Sequence, residues 1–391
     1  MVDFSLSYEQ DQIRQTVRTF VERELIPLED QVLRNDRAGL DALPREVIQE
    51  LQAKGRKNGL WGIDTPEEFG GAALGPFMNA LIQMELGRTW VPFRFGGSAD
   101  NILFTARGQQ VEEYLRPTIE GERRSCFAVT EPDAGSDIAS IRTKAVRDGD
   151  DWVINGEKIF ITNGNDADFV MVFAKTDPAE AEGEIEGPSM TCFLVDRAMG
   201  WTSSPIPTMG HWSPASLSFV DVRVPQRNVL GEVGRGYSLA MSWIGKGRYM
   251  IPAQAVGIAE RLLEMAIEYA KNRSSMGRPI ADYQAIQWHI AEAHVALEST
   301  RLLTMKAAWQ ADNSVDARHT SSVAKLQGGL MANDVVDKVL QIHGGMGYTK
   351  ELPIERWYRE VRLLRIFEGT DEIQKRTIAR NLLKGHVKVG L

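Results

Sequence analysis

Apolar residues recur every three or four positions near the start of the chain, where Ile13, Val17, Phe20, Val21 and Leu25 fall on one face. That spacing predicts an amphipathic helix, which Pro27 should interrupt. A second helix is predicted after Pro44 through REVIQELQAKG, with the proline at a favoured early position and Gly55 near the stop. A third covers MNALIQMELGR, and the turn-rich DTPEEFGGAALG between them reads as a loop.

From about Arg124 the pattern shortens. CFAVTE, DWVING, EKIFITNG, DFVMVFAK and MTCFLVD are brief runs rich in β-branched and aromatic residues, separated by turn signals, and ASLSFVDVRVP continues them. Asn155-Gly156, inside WVINGEKIF, predicts a hairpin turn. Helical spacing then returns, with Val256, Ala259, Leu263, Ala266 and Ala270 on one face. Ile286, Ile290, Ala293 and Leu297 form a second such stripe, and Val335, Val336, Val339 and Leu340 a third. Long amphipathic helices with short connections imply a bundle. The expected fold class is α+β multidomain: an N-terminal all-α domain over 1–125, a central β-barrel or sandwich-like domain over 126–238, and a C-terminal four-helix bundle over 239–391.

Composition narrows the function. The 391 residues carry 45 basic and 53 acidic side chains, a net charge of −8, with no basic block. A nucleic-acid partner would need a positive footprint, so none is expected. No apolar run approaches the roughly 18 residues that cross a bilayer, and the start lacks a signal-peptide core, so a cytoplasmic, non-membrane protein is expected. The two cysteines, Cys126 and Cys192, lie far apart without a CxxC, and the six histidines show no HExxH, so no metal is expected.

Glycine-rich stretches point elsewhere than to familiar nucleotide loops. GEVGRG (231–236) misses the G-x-G-x-x-G spacing and reads as a turn leading out of the β-region. In HGGMGY (343–348), Gly344 and Gly345 can end a helix by adopting positive φ, or can lay bare backbone against a pyrophosphate. In RIFEGTDEIQ (365–374), Thr370 reads as a helix N-cap, with Asp371 and Glu372 in the first turn. Glu368 precedes that start on a sharp bend beside Gly369. The position suits a carboxylate that approaches a ligand closely, and equally a surface loop glutamate.

Four separated stretches together resemble the acyl-CoA dehydrogenase family over essentially the whole chain: CFAVTEPDAGSD (126–137), WVINGEKIFITNG (152–164), YAKNRSSMGRPIADYQAIQ (269–287), and QIHGGMGYTKELPIERWYRE joined to RIFEGTDEIQ (341–374). The resemblance implies FAD as cofactor. It assigns flavin contacts to Phe127, Val129 and Thr130, to Phe160 packing on the ring where the family usually has Trp, and to Thr162. Ser136 would lie where flavin and thioester meet, and Arg248 would face the substrate or CoA. Glu131 and Asp133 read as turn residues.

The same resemblance assigns Arg273 to the FAD pyrophosphate, a role suited to its planar charged fork. Met276, where relatives commonly have Phe, would lie on the adenine side, and Gln284 would be an accompanying flavin ligand; together with Arg273, Gln341, Gly344 and Gly345, these residues would act on the flavin of a neighbouring subunit. Thr370 and Glu372 complete the implied cofactor contacts. The implied assembly is a homo-oligomer, at least a dimer and as a dimer of dimers a tetramer. Glu368 aligns with the family's catalytic base, which takes an α-proton while a hydride leaves Cβ, giving a trans-2-enoyl-CoA. The implied electron acceptor is an electron-transfer flavoprotein. WIGKGRYM, where some relatives carry their base, has Gly245 and Gly247 and no carboxylate. The loop WVPFRFGGSADN is expected to line the acyl pocket. A flavin oxidase using oxygen, and a catalytically silent acyl-CoA-binding member, are the alternatives on this scaffold.

Overall fold

The computed structural model describes residues 5–40, 42–185, 187–210 and 213–390. Four helices open the chain: α1 (Tyr8–Phe20), α2 (Glu29–Arg37), α3 (Arg45–Lys57) and α4 (Gly75–Leu86). Ser7 caps α1 in a reciprocal box with Gln10. Pro27 does not stop the chain's helical course. A π turn over Val21–Leu25 and a 3-10 turn over Ile26–Leu28 absorb it and lead into α2. Gly55 lies inside α3, where an added Cβ would stand 2.9 Å from the Phe95 ring, so it serves close packing and the helix runs on to Lys57.

The short helix α5 (Arg116–Ile119) precedes the strands β1 (Ser125–Ala128), β2 (Lys144–Asp148), β3 (Asp151–Ile161), β4 (Phe169–Lys175), β5 (Met190–Asp196), β6 (Thr202–Pro205), β7 (Ala215–Pro225) and β8 (Val229–Leu230). They form one mixed sheet in the order β6-β7-β3-β2-β4-β5-β8, with β1 parallel to β4. Along β4 and β5, alternate side chains enter two apolar clusters, Val170, Val172 and Phe193 in one and Phe169, Met171 and Leu194 in the other. Both faces of these strands are covered, which is why they read as unbroken apolar runs.

The hairpin predicted at Asn155-Gly156 does not form. β3 runs straight through it, and the turn lies earlier, at Gly149-Asp150 between β2 and β3. Gly156 is needed instead because its neighbour comes close: a Cβ there would sit 2.4 Å from Thr143 Oγ1. The register of β3 against β7 shifts twice, between Ile154 and Gly156 and between Lys158 and Ile161. In the first, β7 carries the extra residue, with Asp221 at φ 50° and its backbone N–H donating to Asn155 Oδ1. In the second, β3 carries it, and Phe160 sits there at φ 58°.

Helices α6 (Gly236–Asn272), α7 (Gln284–Asp312), α8 (Arg318–His343), α9 (Gly345–Tyr348), α10 (Ile354–Val361) and α11 (Asp371–Leu383) complete the chain, with a small hairpin, β9 (Ser274–Ser275) and β10 (Arg278–Pro279), after α6. Val256, Ala259, Leu263, Ala266 and Ala270 are buried as their spacing requires, as are Val335, Val336 and Val339. The chain divides into two compact units, Met1–Asp64 with Ala72–Phe95 and Gly245–Leu391, and Thr65–Gly71 with Gly96–Ile244. The N- and C-terminal helices thus share one unit and one core. Trp90, Val91, Phe93 and Phe95 belong to that core, so the apolar half of the loop expected to line a pocket packs inside the helical unit.

Candidate active site

In the helical unit, the turn after the 3-10 segment Arg362–Arg365 carries Glu368. Its φ of 55° is left-handed and followed by Gly369 at 91°. A non-glycine residue there costs roughly 1–2 kcal/mol, so the surrounding structure must hold it. The holding groups are visible. Gln374, fully buried on α11, donates from Nε2 to the carbonyls of both Glu368 and Gly369 at 3.1 Å. Lys325, fully buried on α8, donates from Nζ to the Gly369 carbonyl at 2.6 Å. Thr370 caps α11 as expected, its Oγ1 accepting from the Ile373 N–H at 3.3 Å.

The Glu368 carboxylate does not point into bulk solvent: its Oε2 is buried. Gly247, on α6, makes the space, because a Cβ there would stand 2.8 Å from that oxygen. Sequence reading noticed Gly247 only for lacking a carboxylate; its small size is what admits one from elsewhere. Arg248, the next residue, is half-buried, and its Nε is enclosed without a hydrogen bond. Burial pushes its guanidinium below the ordinary range, against the pull of Glu368. Burial likewise brings Lys325 down to about 8, opposed by Asp371 and Glu368. Glu368 is thus flanked by two cations. Lys325 escaped the sequence reading because a lysine in a helix is ordinarily solvated; the signal available was its place in the run SSVAKLQGG among small residues. Gly328 and Gly329 let α8 approach closely, with added Cβ atoms 2.7 Å from Pro252 and 3.0 Å from the Leu364 carbonyl.

Elsewhere in this unit, Arg273, Met276 and Gln284 are exposed around the β9–β10 hairpin, whose turn places Met276 at φ 50° and Gly277 at 82°. Gln341 is exposed in the last turn of α8, and Gly344, at φ 57°, ends that helix. Tyr269, which sequence reading missed, stacks on His343 at 4.3 Å and so ties the end of α6 to the end of α8. Glu372 is exposed in the first turn of α11, where the helix-start N–H and Thr370 hold its carboxyl below the usual range.

In the β unit, Val129 and Thr130 follow β1, and the Ile159 N–H donates to the Thr130 carbonyl at 3.0 Å, setting Phe160 and Thr162 beside them. Phe160 is 59% exposed, held outward by its bulge, and Thr162 and Ser136 are exposed. The Phe127 ring stacks on Trp243 at 4.1 Å, 6° from parallel. Trp243 in turn donates to Asp100 Oδ1 at 3.0 Å. Glu131 is more than a turn residue. Lys158, fully buried, donates to Glu131 Oε1 at 2.8 Å and to the Val129 carbonyl at 3.0 Å, while the Thr143 N–H donates to the same carboxylate. Burial pushes Lys158 down to about 8 against the pull of Glu131. Burial alone would raise Glu131, but Lys158 and the donors around it hold it low.

Comparison with known proteins decides the family. Residues 7–122, 126–222 and 234–383 match, in turn, the N-terminal, middle and C-terminal domains of acyl-CoA dehydrogenases. The chain belongs to the acyl-CoA dehydrogenase family. It is 36% identical to the mitochondrial short-chain specific acyl-CoA dehydrogenase of Mus musculus, over 96% of this chain and 90% of that one. It is also 36% identical to the caffeyl-CoA reductase-Etf complex subunit CarC of Acetobacterium woodii, over 95% of this chain and 97% of that one. Among solved structures, butyryl-CoA dehydrogenase from Megasphaera elsdenii matches with a TM-score of 0.84 at 31% identity, covering 98% of this chain and all of that one. Among the described residues no helix is long and apolar enough to cross a membrane.

The donors present fit the flavin dinucleotide of an acyl-CoA dehydrogenase. The β unit offers an outward aromatic ring and two threonine hydroxyls. The helical unit offers an exposed guanidinium, two carboxamides, and at Gly344–Gly345 a bare backbone with nothing within 4 Å of where a Cβ would stand.

Proposed function

We propose that this oxidoreductase carries out FAD-dependent α,β-dehydrogenation of an acyl-CoA thioester to the trans-2-enoyl-CoA, with Glu368 as the base. What supports the reading is the strained, clamped turn that holds the Glu368 carboxylate against Gly247, with its Oε2 buried and Arg248 close by. An α-hydrogen beside a thioester is a weak acid, so its removal needs a base fixed within reach and ionised at working pH. Glu368 takes that proton on its carboxylate: the Cα–H bond breaks and an O–H bond forms. FAD, when bound, supplies the hydride acceptor at N5 for the hydrogen leaving Cβ.

Thr130, Thr162 and Phe160, with the backbone at Phe127 and Val129, would orient the ring, and Ser136 would meet the thioester end. Arg273, Met276, Gln284, Gln341, Gly344 and Gly345 would hold the pyrophosphate and adenine end, with Thr370 and Glu372 alongside. Arg248 would face the substrate. An electron-transfer flavoprotein is the proposed acceptor, in keeping with the Etf-complex relative, and a homo-oligomer the proposed assembly.

The decisive experiment is anaerobic bleaching of the flavin by acyl-CoA. Glu368→Gln should bind FAD and remain yellow, yet lose bleaching by several orders of magnitude. Bleaching at the wild-type rate would remove Glu368 from the role. Because one relative bears the name of a reductase, the same variant should also be assayed with an enoyl-CoA and reduced flavin; the same base then returns the proton to Cα.

A further inference from the structure

We propose that Lys325 is a positioning residue for the base, its buried ammonium holding the 368–369 turn through the Gly369 carbonyl and keeping the Glu368 carboxylate ionised until it accepts a proton. The inference rests on the reading of Glu368 as the base. Lys325 never reaches solvent, and its Nζ lies 2.6 Å from the Gly369 oxygen. Gln374 closes the turn from the other side: a Cβ on Gly369 would stand 2.7 Å from its Nε2. The carboxamide already serves both carbonyls of the turn. Hydrogen bonding alone therefore does not require a cation at position 325, and burying one is costly.

What the cation adds is charge. Lys325 is drawn toward its protonated form by Asp371 and Glu368, and more weakly by the exposed Glu372, while Arg248 opposes it. Asp371 is already engaged by Arg365, whose Nε lies 2.7 Å from Oδ2. Lys325 and Arg248 each interact with Glu368, and each favours its ionised form. Deleting one of them must disfavour the ionised form of Glu368 and so shift its titration upward.

The test uses the FAD-loaded enzyme with Lys325→Met and Lys325→Gln, the second keeping a donor without the charge. Glu368 is titrated directly by its ¹³C carboxyl resonance, assigned as the signal missing from Glu368→Gln. Both variants should move the Glu368 midpoint upward by about one pH unit, and the acid limb of flavin bleaching should move with it. On the acid limb, bleaching at a fixed pH should fall by up to about tenfold, with acyl-CoA affinity little changed. An unmoved midpoint in either variant, even with a slower rate, would overturn the proposal by reducing Lys325 to a structural prop. Should Lys325→Met fail to fold, the titration of Lys325→Gln decides alone. Wild-type bleaching by Glu368→Gln would overturn this proposal together with the base assignment, whereas an unmoved midpoint leaves that assignment standing.

Discussion

Lys158 and Lys325 are both sealed from water, one in the β unit and one in the helical unit, and both are brought to about 8 by burial. Each donates to a backbone carbonyl next to a residue held at positive φ or leading to one. Lys158 grips Val129, and the following Thr130 carbonyl is bonded to the residue before Phe160. Lys325 grips Gly369, next to Glu368. The difference is the counter-charge. Lys158 touches its carboxylate directly, and Glu131 is saturated by Lys158 and backbone N–H groups. Lys325 instead donates to the Gly369 carbonyl, and its charge interacts through space with Asp371 and Glu368. The first arrangement is a closed strut; the second leaves a field at the base. Buried cations of equal burial can thus serve rigidity in one place and ionisation in another.

The largest expected effect separates the two. Lys158→Met leaves the Glu131 carboxylate buried without its cation and should destabilise the β unit by about 3–5 kcal/mol. Lys325→Met leaves the Gly369 carbonyl still served by Gln374 and should cost only about 1–2 kcal/mol. Chemical denaturation of the two variants side by side would break the comparison if the costs came out equal.

Next in size is Gly247→Ala. The added methyl meets the Glu368 carboxylate, so flavin bleaching should fall about 100-fold, as expected when a reacting group is displaced by around 1 Å. The melting temperature should change little, which distinguishes a displaced base from a damaged fold.

A pH series sharpens the contrast. A lysine at about 8 when folded and 10.5 when unfolded binds more protons in the unfolded chain between those values, so its contribution makes stability rise with pH across that window. Lys325→Met should therefore flatten the rise in melting temperature from about pH 8 to 10.5. On the acid side, Glu131 is held low in the folded state. Its contribution is present above the ordinary carboxylate range and lost as pH falls through the folded value, and Glu131→Gln should remove that loss.

The smallest effects lie in the turn itself. Glu368→Gly relieves the left-handed strain and should stabilise the helical unit by up to about 1 kcal/mol while abolishing bleaching. Thr370→Ala should cost about 1 kcal/mol through the lost cap of α11. Calorimetry reads both.

Much of this molecule was legible in its sequence. Helical periodicity located the buried stripes of α6 and α8, and β-branched runs located β4 and β5, because burial of one stripe or of both sheet faces leaves a pattern along the chain. Thr370 announced its cap, and Glu368 its exceptional bend, through local turn chemistry. Tertiary structure alone decided the rest. Asn155-Gly156 became a place of close approach to Thr143 inside a continuous strand, while the chain reverses at Gly149-Asp150 instead. Lys158, Lys325, Gln374 and Gly247 acquire their roles from partners up to 121 residues away, as Gly247 does from Glu368. Contacts at such separation depend on which surfaces meet when helices and strands pack, and one-dimensional periodicity carries no record of that meeting.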